Sequence, residues 1–468
     1  MIQKDSIQTN ADPRTRGRWL VLTAVSLGLL LATIDTSILY IAVPVLETDL
    51  GASTSQSLWI INTYPLVMTG LLLGTGTLGD RYGHKRVFQI GIVLFGAASL
   101  IAAFSPTPEE LIFARALLAV GAALMLPATL AIIRLTFDDE RERNIAIAVW
   151  SSVSIGGIAF GPLVGGLLLE WFWWGSVFLI NVPIVLVTFV LAAVYAPKAR
   201  EDGTVPWDLF SSVLALIGLT GLVAAIKEIS LPGPSLTVTV GALVLAVVGF
   251  GAFVRQQGRL ESPLLDFMIL TNRAVSAGVV AAGLSTFVFA GVGAVTSQHF
   301  QTSEGFTPLQ SGLLVGCIAV GATVTSLLSG AMLSRLGSRP LLRGGAALAA
   351  LGYAAAAVLL PVSIWGFGAA LFIAGTGIGV LITVASSTII TNVAPERAGM
   401  ASGVEEVSYE FGSLLSVTVL GSLYASLALT TSATATSYQG VLLLGAAVAL
   451  LGFISIAWLV RRSRLVGE

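Results

Sequence analysis

An all-α polytopic membrane protein with fourteen transmembrane helices is the fold this sequence predicts. Three observations carry that prediction. The chain has 468 residues, 55% hydrophobic and 10% charged, whereas a soluble domain carries roughly 25% charge. Apolar runs of spanning length recur from Trp19 to Val460, and about 20 such residues cross a bilayer. When the runs are counted in order, nearly all Lys and Arg residues fall on one side of the membrane, as the positive-inside rule requires.

The elements follow in chain order. Residues 1–17 are polar and read as a tail. The first run, 19–45, is too long for a signal-peptide core, so no cleavable leader is expected. It holds one charge, Asp35, within the 28 residues between Arg18 and Glu47. Runs 58–79 and 87–104 flank a short basic turn. Run 110–133 contains Arg115. Run 144–168 carries a glycine series, and run 175–196 contains Phe178 and Asn181. Runs 208–227 and 235–254 carry no motif. The runs 274–298, 309–333, 341–361, 365–391, 399–427 and 438–460 complete the set.

The basic residues test the count. With both termini inside, all of the 24 Lys and Arg residues except Lys227 and Arg115 lie in inside segments. Glu47, Asp49, Glu109, Glu170 and Glu304 lie in outer loops. A miscounted helix would invert every later loop and destroy this asymmetry.

An internal repeat is visible. Gly76, Asp80, Arg81, Gly83, Lys85 and Arg86 align with Gly330, Ser334, Arg335, Gly337, Arg339 and Pro340 at a constant offset of 254. Parallel repeats are one known transporter architecture. The halves differ in chemistry, because Ser334 replaces the Asp and Phe289 stands at the Asp35 position.

The segment from Gly76 to Arg86 resembles the signature loop of the major facilitator superfamily. Gly157, Gly161, Pro162, Gly165 and Gly166 resemble the antiporter motif of its drug exporters. Ile34 to Pro44 resembles the first-span motif of fourteen-helix drug:proton antiporters, and Phe178 to Pro183 is a further matching block. The likeness is greatest to bacterial quaternary-ammonium and dye efflux proteins. The usual span-4 continuation Arg-x-x-Gln-Gly is absent, since Leu118 and Ala119 follow Arg115. The resemblance implies a major facilitator fold: six-helix halves at 18–200 and 261–468, with two additional helices at 201–260. It also implies that the Gly76–Arg86 loop latches one conformation and that the glycine face seals the halves.

The residues themselves suggest chemistry. A lone carboxylate in hydrocarbon is costly, roughly 3 kcal/mol on insertion scales, and marks an ion path. At Asp35 a proton and a cationic compound can compete for one charge, which is antiport in its simplest form. Glu406 and Glu410 are four residues apart and share a helix face. Glu405 points roughly 100° away, toward the cavity or the interface. Arg115 keeps its charge; it either pairs with an acid, competes a proton off one, or snorkels outward. Basic residues of the Arg81–Arg86 turn are expected to reach helix C-termini of the other half. Trp59, Tyr64, Phe160, Phe178, Asn181, Phe287 and Phe289 are candidate substrate contacts, because aromatic faces attract organic cations.

Several classes are excluded. No phosphate-binding Gly-x-x-x-x-Gly-Lys motif occurs, so ATP does not drive the protein. His84 and His299 are the only histidines and form no metal pattern. Net charge is −1, which leaves no footprint for nucleic acid. No cofactor, metal or catalytic site is expected, so the chain is not read as an enzyme. The expectation is a monomeric proton-coupled exporter of lipophilic cations in a bacterial cytoplasmic membrane, in contact with membrane lipids. The alternative is a proton-coupled transporter of one metabolite or lipid on the same fold.

Overall fold

A computed structural model describes residues 13–197, 208–231, 233–260, 263–265, 267–393, 398–430 and 434–461. The helices in chain order begin with α1 (Pro13–Asp49), α2 (Thr54–Tyr82), α3 (His84–Ala103), α4 (Pro108–Thr136) and α5 (Glu140–Trp171). Then come α6 (Ser176–Leu179), α7 (Asn181–Tyr195), α8 (Leu209–Ile229), α9 (Leu236–Gln257) and α10 (Arg273–Thr302). The last are α11 (Pro308–Leu336), α12 (Ser338–Leu359), α13 (Ile364–Thr391), α14 (Ala398–Thr430) and α15 (Thr434–Arg461). Every predicted apolar run is helical. Among the described residues, 12 helical stretches are long and apolar enough to cross a membrane, with α6 and α7 forming one of them. Helices α2 and α5 stand outside those twelve. They have the length, 29 and 32 residues, and each contains the apolar run expected of it, but both include side chains outside the described residues. The chain is a multi-pass membrane protein.

Local chemistry sets the helix ends. Ser53 and Gln56 form a capping box at the start of α2, and Thr307 and Gln310 form one at the start of α11. Reciprocal bonds of this kind satisfy two donors that the first turn leaves open. The two boxes share the 254 offset, so the repeat extends beyond the basic turn. The turns closing α2 and α11 fall on Gly83 (φ 88°) and Gly337 (φ 75°), a backbone region that side chains disfavour. The break between α6 and α7 precedes Pro183, whose missing N–H costs nothing in a first helical turn.

In lipid, helices associate by close packing rather than hydrophobic expulsion, so small residues sit at crossings. A Cβ at Gly121 of α4 would lie 2.8 Å from the Phe95 nitrogen of α3. Gly345 of α12 lies against the Gly377 carbonyl of α13 in the same way, and Gly345 is the repeat partner of Gly91 at the α3–α4 crossing. Helices α1–α7 pack mainly on one another, as do α10–α15. The α8–α9 hairpin rests on α2 and also touches α14. Lys227 fastens it: its Nζ donates to the Ser55 carbonyl at 2.7 Å and sits 4.4 Å from the Trp59 ring centre. Lys227 is thus a buried structural cation, which accounts for one exception to the charge asymmetry.

The bundle has a basic end, at the α2–α3 and α11–α12 turns, and an acidic end with Glu47, Asp49, Glu109 and Glu304. Contacts that join α1–α7 to α10–α15 near the acidic end include Gln301 Nε2 donating to the Ile41 carbonyl at 3.0 Å. Gly166 approaches Leu309, Gly312 approaches the Pro162 carbonyl, and Gly421 approaches Leu58.

Candidate functional site

Asp35 sits midway along α1 with 2% of its surface exposed. Its Oδ2 is paired with Arg115 Nη1 of α4, and Arg115 is 1% exposed. Arg115 Nε donates to the Ile60 carbonyl at 3.2 Å, and its guanidinium lies 4.6 Å from the Tyr64 ring centre. Asn181, at the first residue of α7, places Nδ2 3.2 Å from Asp35 Oδ1 and 3.2 Å from Ser99 Oγ. The sequence left Arg115 between an ion pair and an interfacial position; packing of α1 on α4 makes it the ion pair. A buried guanidinium needs several acceptors at once, and the backbone carbonyl, carboxylate and aromatic face supply them.

The acids of α14 approach from the other group of helices. Glu410 lies within electrostatic reach of Arg115, Tyr40 and Tyr64. Its Oε2 is buried without a hydrogen-bond partner among the described residues. Tyr40 of α1 and Ser413 of α14 bring their hydroxyls to 3.5 Å beside it. Glu406 interacts with both Glu405 and Glu410. Glu405 is occupied locally, with the Tyr409 hydroxyl 3.1 Å from Oε1 and also 3.2 Å from the Ile382 carbonyl oxygen. Asp35, Arg115 and Glu410 therefore form one group that crosses between α1–α7 and α10–α15. Tyr40, Ser413 and Ser99 were not singled out by sequence; hydroxyl residues in apolar runs carry no pattern that marks them.

The aromatic candidates separate. Tyr64 lies beneath Arg115, and Trp59 faces Lys227 of α8. Phe178 is buried against Trp174 with ring centres 6.5 Å apart. Phe160 is 57% exposed on α5. Phe289 is buried in α10 and Phe287 is half-buried, its carbonyl accepting from the Ser416 hydroxyl. Among the described residues no ring-to-ring contact joins any two of them.

The glycine series of α5 divides in two. A Cβ at Gly157 would strike Thr33 Oγ1, and one at Gly161 would strike Ser37 Oγ; one at Gly165 would lie 3.3 Å from the Ile38 carbonyl oxygen. This stripe therefore packs on α1, flanking Asp35, within one group of helices. The contact with α11 belongs instead to Pro162 and Gly166. The expectation that the four-residue stripe seals the two halves is corrected, because residues 157, 161 and 165 share the helix face turned to α1.

In the basic turn, one cation meets a helix end of its own group. Lys85 Nζ donates to the Ala193 and Ala196 carbonyls at 2.8 and 2.9 Å. It reaches the C-terminus of α7, in the same group of helices. The open carbonyls of a helix end attract a cation, and α7 ends beside the start of α3. Arg81 lies 5.3 Å from the Tyr82 ring centre, and Arg86 is exposed. The surroundings of Gly76 and the Asp80 side chain lie outside the described residues, as do Arg397 and the loop 431–433. Among the described residues no group of three or more His, Cys, Asp or Glu could hold a metal ion.

Comparison with known proteins agrees with this architecture. The model of the Major Facilitator Superfamily matches residues 25–416, and again 275–467. The methyl viologen resistance protein SmvA of Salmonella typhimurium is 39% identical over 412 residues, covering 87% of this chain and 82% of that protein. The multidrug efflux pump LfrA of Mycolicibacterium smegmatis is 35% identical over 422 residues, 89% of this chain and 83% of that protein. The puromycin resistance protein pur8 of Streptomyces alboniger is 33% identical, covering 88% and 82%. These relatives indicate a transporter rather than an enzyme. The chain belongs to the Major Facilitator Superfamily.

Proposed function

We propose that this protein is a proton-coupled antiporter that exports lipophilic, mainly cationic compounds by alternating access. The observation that carries the reading is the buried Asp35–Arg115 pair with Glu410, whose Oε2 is unpartnered, within electrostatic reach. Arg115 can neutralise one carboxylate at a time. A proton or a substrate cation arriving at either acid changes which one it holds. Tyr40 and Ser413 link α1 to α14 at the same level, so charge exchange there acts on the boundary between the moving parts.

The finer architecture belongs to the same reading. It has fourteen spans, with α2 and α5, of 29 and 32 residues, joining the twelve apolar ones. Six-helix halves at 18–200 and 261–468 rock about each other, and α8–α9 is an insertion. The basic end faces the cytoplasm of a bacterial cell, and contact at the acidic end corresponds to a state closed to the outside. The relatives named for methyl viologen resistance and multidrug efflux support substrates of this chemistry.

The test is a proteoliposome assay with an imposed pH gradient and a panel of monovalent dyes plus methyl viologen, a dication. Gradient-driven dye movement by the wild type and its loss in Asp35→Asn are expected. Normal gradient-driven transport by correctly folded Asp35→Asn would overturn the assignment.

A further inference from the structure

At the basic end, α12 and α15 leave an open groove of about 390 Å³ lined by Arg343, Phe453, Ala457 and Trp458. Arg343 Nη2 donates to the Ala457 carbonyl at 3.1 Å. Its Nε is buried without a partner among the described residues. Arg273, at the start of α10, holds its guanidinium 5.7 Å from the Trp458 ring centre. Two guanidinium groups thus border one exposed tryptophan. Among the described residues neither meets a carboxylate. The face of α15 leading away from the groove toward the bundle centre is apolar and open, with Leu450, Leu451 and Ile454 all more than half exposed.

We propose that this groove binds the phosphate headgroup of an anionic phospholipid. The phosphate lies between Arg343 and Arg273, Trp458 sits at headgroup level, and an acyl chain runs along Leu451 and Ile454. Charge decides the class of ligand. Two guanidinium groups that meet no carboxylate among the described residues repel the lipophilic cations of the proposed transport reaction and attract a phosphodiester. Basic pockets between membrane helices on the inner side are suited to acidic headgroups, and tryptophan prefers the interface. A neutral or zwitterionic headgroup supplies no net charge to offset the pair. The site is separate from Asp35, so it stands whatever the transport substrate proves to be.

Arg343 spends one nitrogen on the Ala457 carbonyl of α15 and still borders the groove.

The test uses full-length protein in vesicles that contain dibromo-phosphatidylglycerol or dibromo-phosphatidylcholine. Bromine quenching of tryptophan fluorescence is read, and the part absent from Trp458→Phe is assigned to the groove. The phosphatidylglycerol lipid should quench Trp458 at several-fold lower mole fraction than the phosphatidylcholine lipid. Each of Arg343→Gln and Arg273→Gln should weaken that preference by roughly fivefold, while Arg343→Lys should keep most of it. Soluble glycerol phosphate should not compete. Equal quenching by the two lipids, or a preference that survives both substitutions, would overturn the proposal. Competition by glycerol phosphate would overturn the lipid as its source. Where Arg343→Gln does not fold, Arg273→Gln decides alone: an unchanged preference counts against the site.

Discussion

At the residue scale, Arg115 is the keystone of the buried group. It touches Asp35, the Ile60 carbonyl and the Tyr64 ring at once. Removing one partner of a buried ion pair is more damaging than removing both, because the survivor keeps its desolvation cost. Arg115→Gln is therefore expected to destabilise the protein by about 3–5 kcal/mol. Asp35→Asn combined with Arg115→Gln should recover most of that loss without recovering transport. Thermal unfolding in detergent, set beside proteoliposome flux, checks both outcomes. A double variant as unstable as Arg115→Gln alone would show that the guanidinium acts mainly through Ile60 and Tyr64. Asn181 shows what one dimension leaves out. Its sequence context marked it as a substrate contact, and its amide nitrogen meets Asp35 and Ser99, 146 and 82 residues away. Nothing in the local pattern encodes those partners.

At the element scale, α5 supports the charged residue of α1. Ser37 Oγ, which a Cβ at Gly161 would strike, also lies 3.2 Å from the Gly157 carbonyl oxygen. Gly161→Ala should push α1 from α5 at a cost of about 1–3 kcal/mol and lower transport. Adding Ser37→Ala removes the colliding hydroxyl and should restore much of both. Equal defects in the single and double variants would place the strain elsewhere, at the Ile38 backbone. The hairpin α8–α9 offers a second case. Lys227 and Trp59 are expected to be coupled by about 0.5–2 kcal/mol in a double-mutant cycle of Lys227→Met and Trp59→Leu. Additive losses in unfolding midpoint would count against their contact as the fastening. Helix boundaries were readable along the chain because apolar runs, caps and glycine turns are local. The assignment of Gly157, Gly161 and Gly165 to α1 rather than to α11 was not, since a small-residue stripe says that a helix is near and not which one.

At the scale of the whole molecule, the two groups of helices touch near the acidic end through Leu58 and Gly421, Gly166 and Leu309, and Gln301 and Ile41. Alternating access requires these contacts to part. With Cys317, the single cysteine, replaced by serine, a Leu58→Cys and Gly421→Cys pair should be joined by a short bifunctional thiol reagent. Joining them should cut dye flux by tenfold or more, and a reversible linker should allow recovery on reduction. Undiminished flux in the joined protein would show that α2 and α14 do not separate during transport.

Composition, run lengths and charge asymmetry by themselves determined a helical membrane protein, the order of its elements and the repeat at offset 254. They also marked Asp35, Arg115 and Glu410 as costly residues needing a partner. These are one-dimensional properties, set by the energy of moving each residue into hydrocarbon and by the period of the helix. Only the tertiary structure decided that Arg115 belongs to Asp35, that Asn181 holds the same carboxylate, that Glu410 approaches from α14, and that Trp59 serves Lys227. Those pairings follow from which helix faces meet across long sequence separations. In lipid that choice rests on the fit of small residues at crossings and on compensation of buried charge, and neither leaves a periodic trace in the sequence.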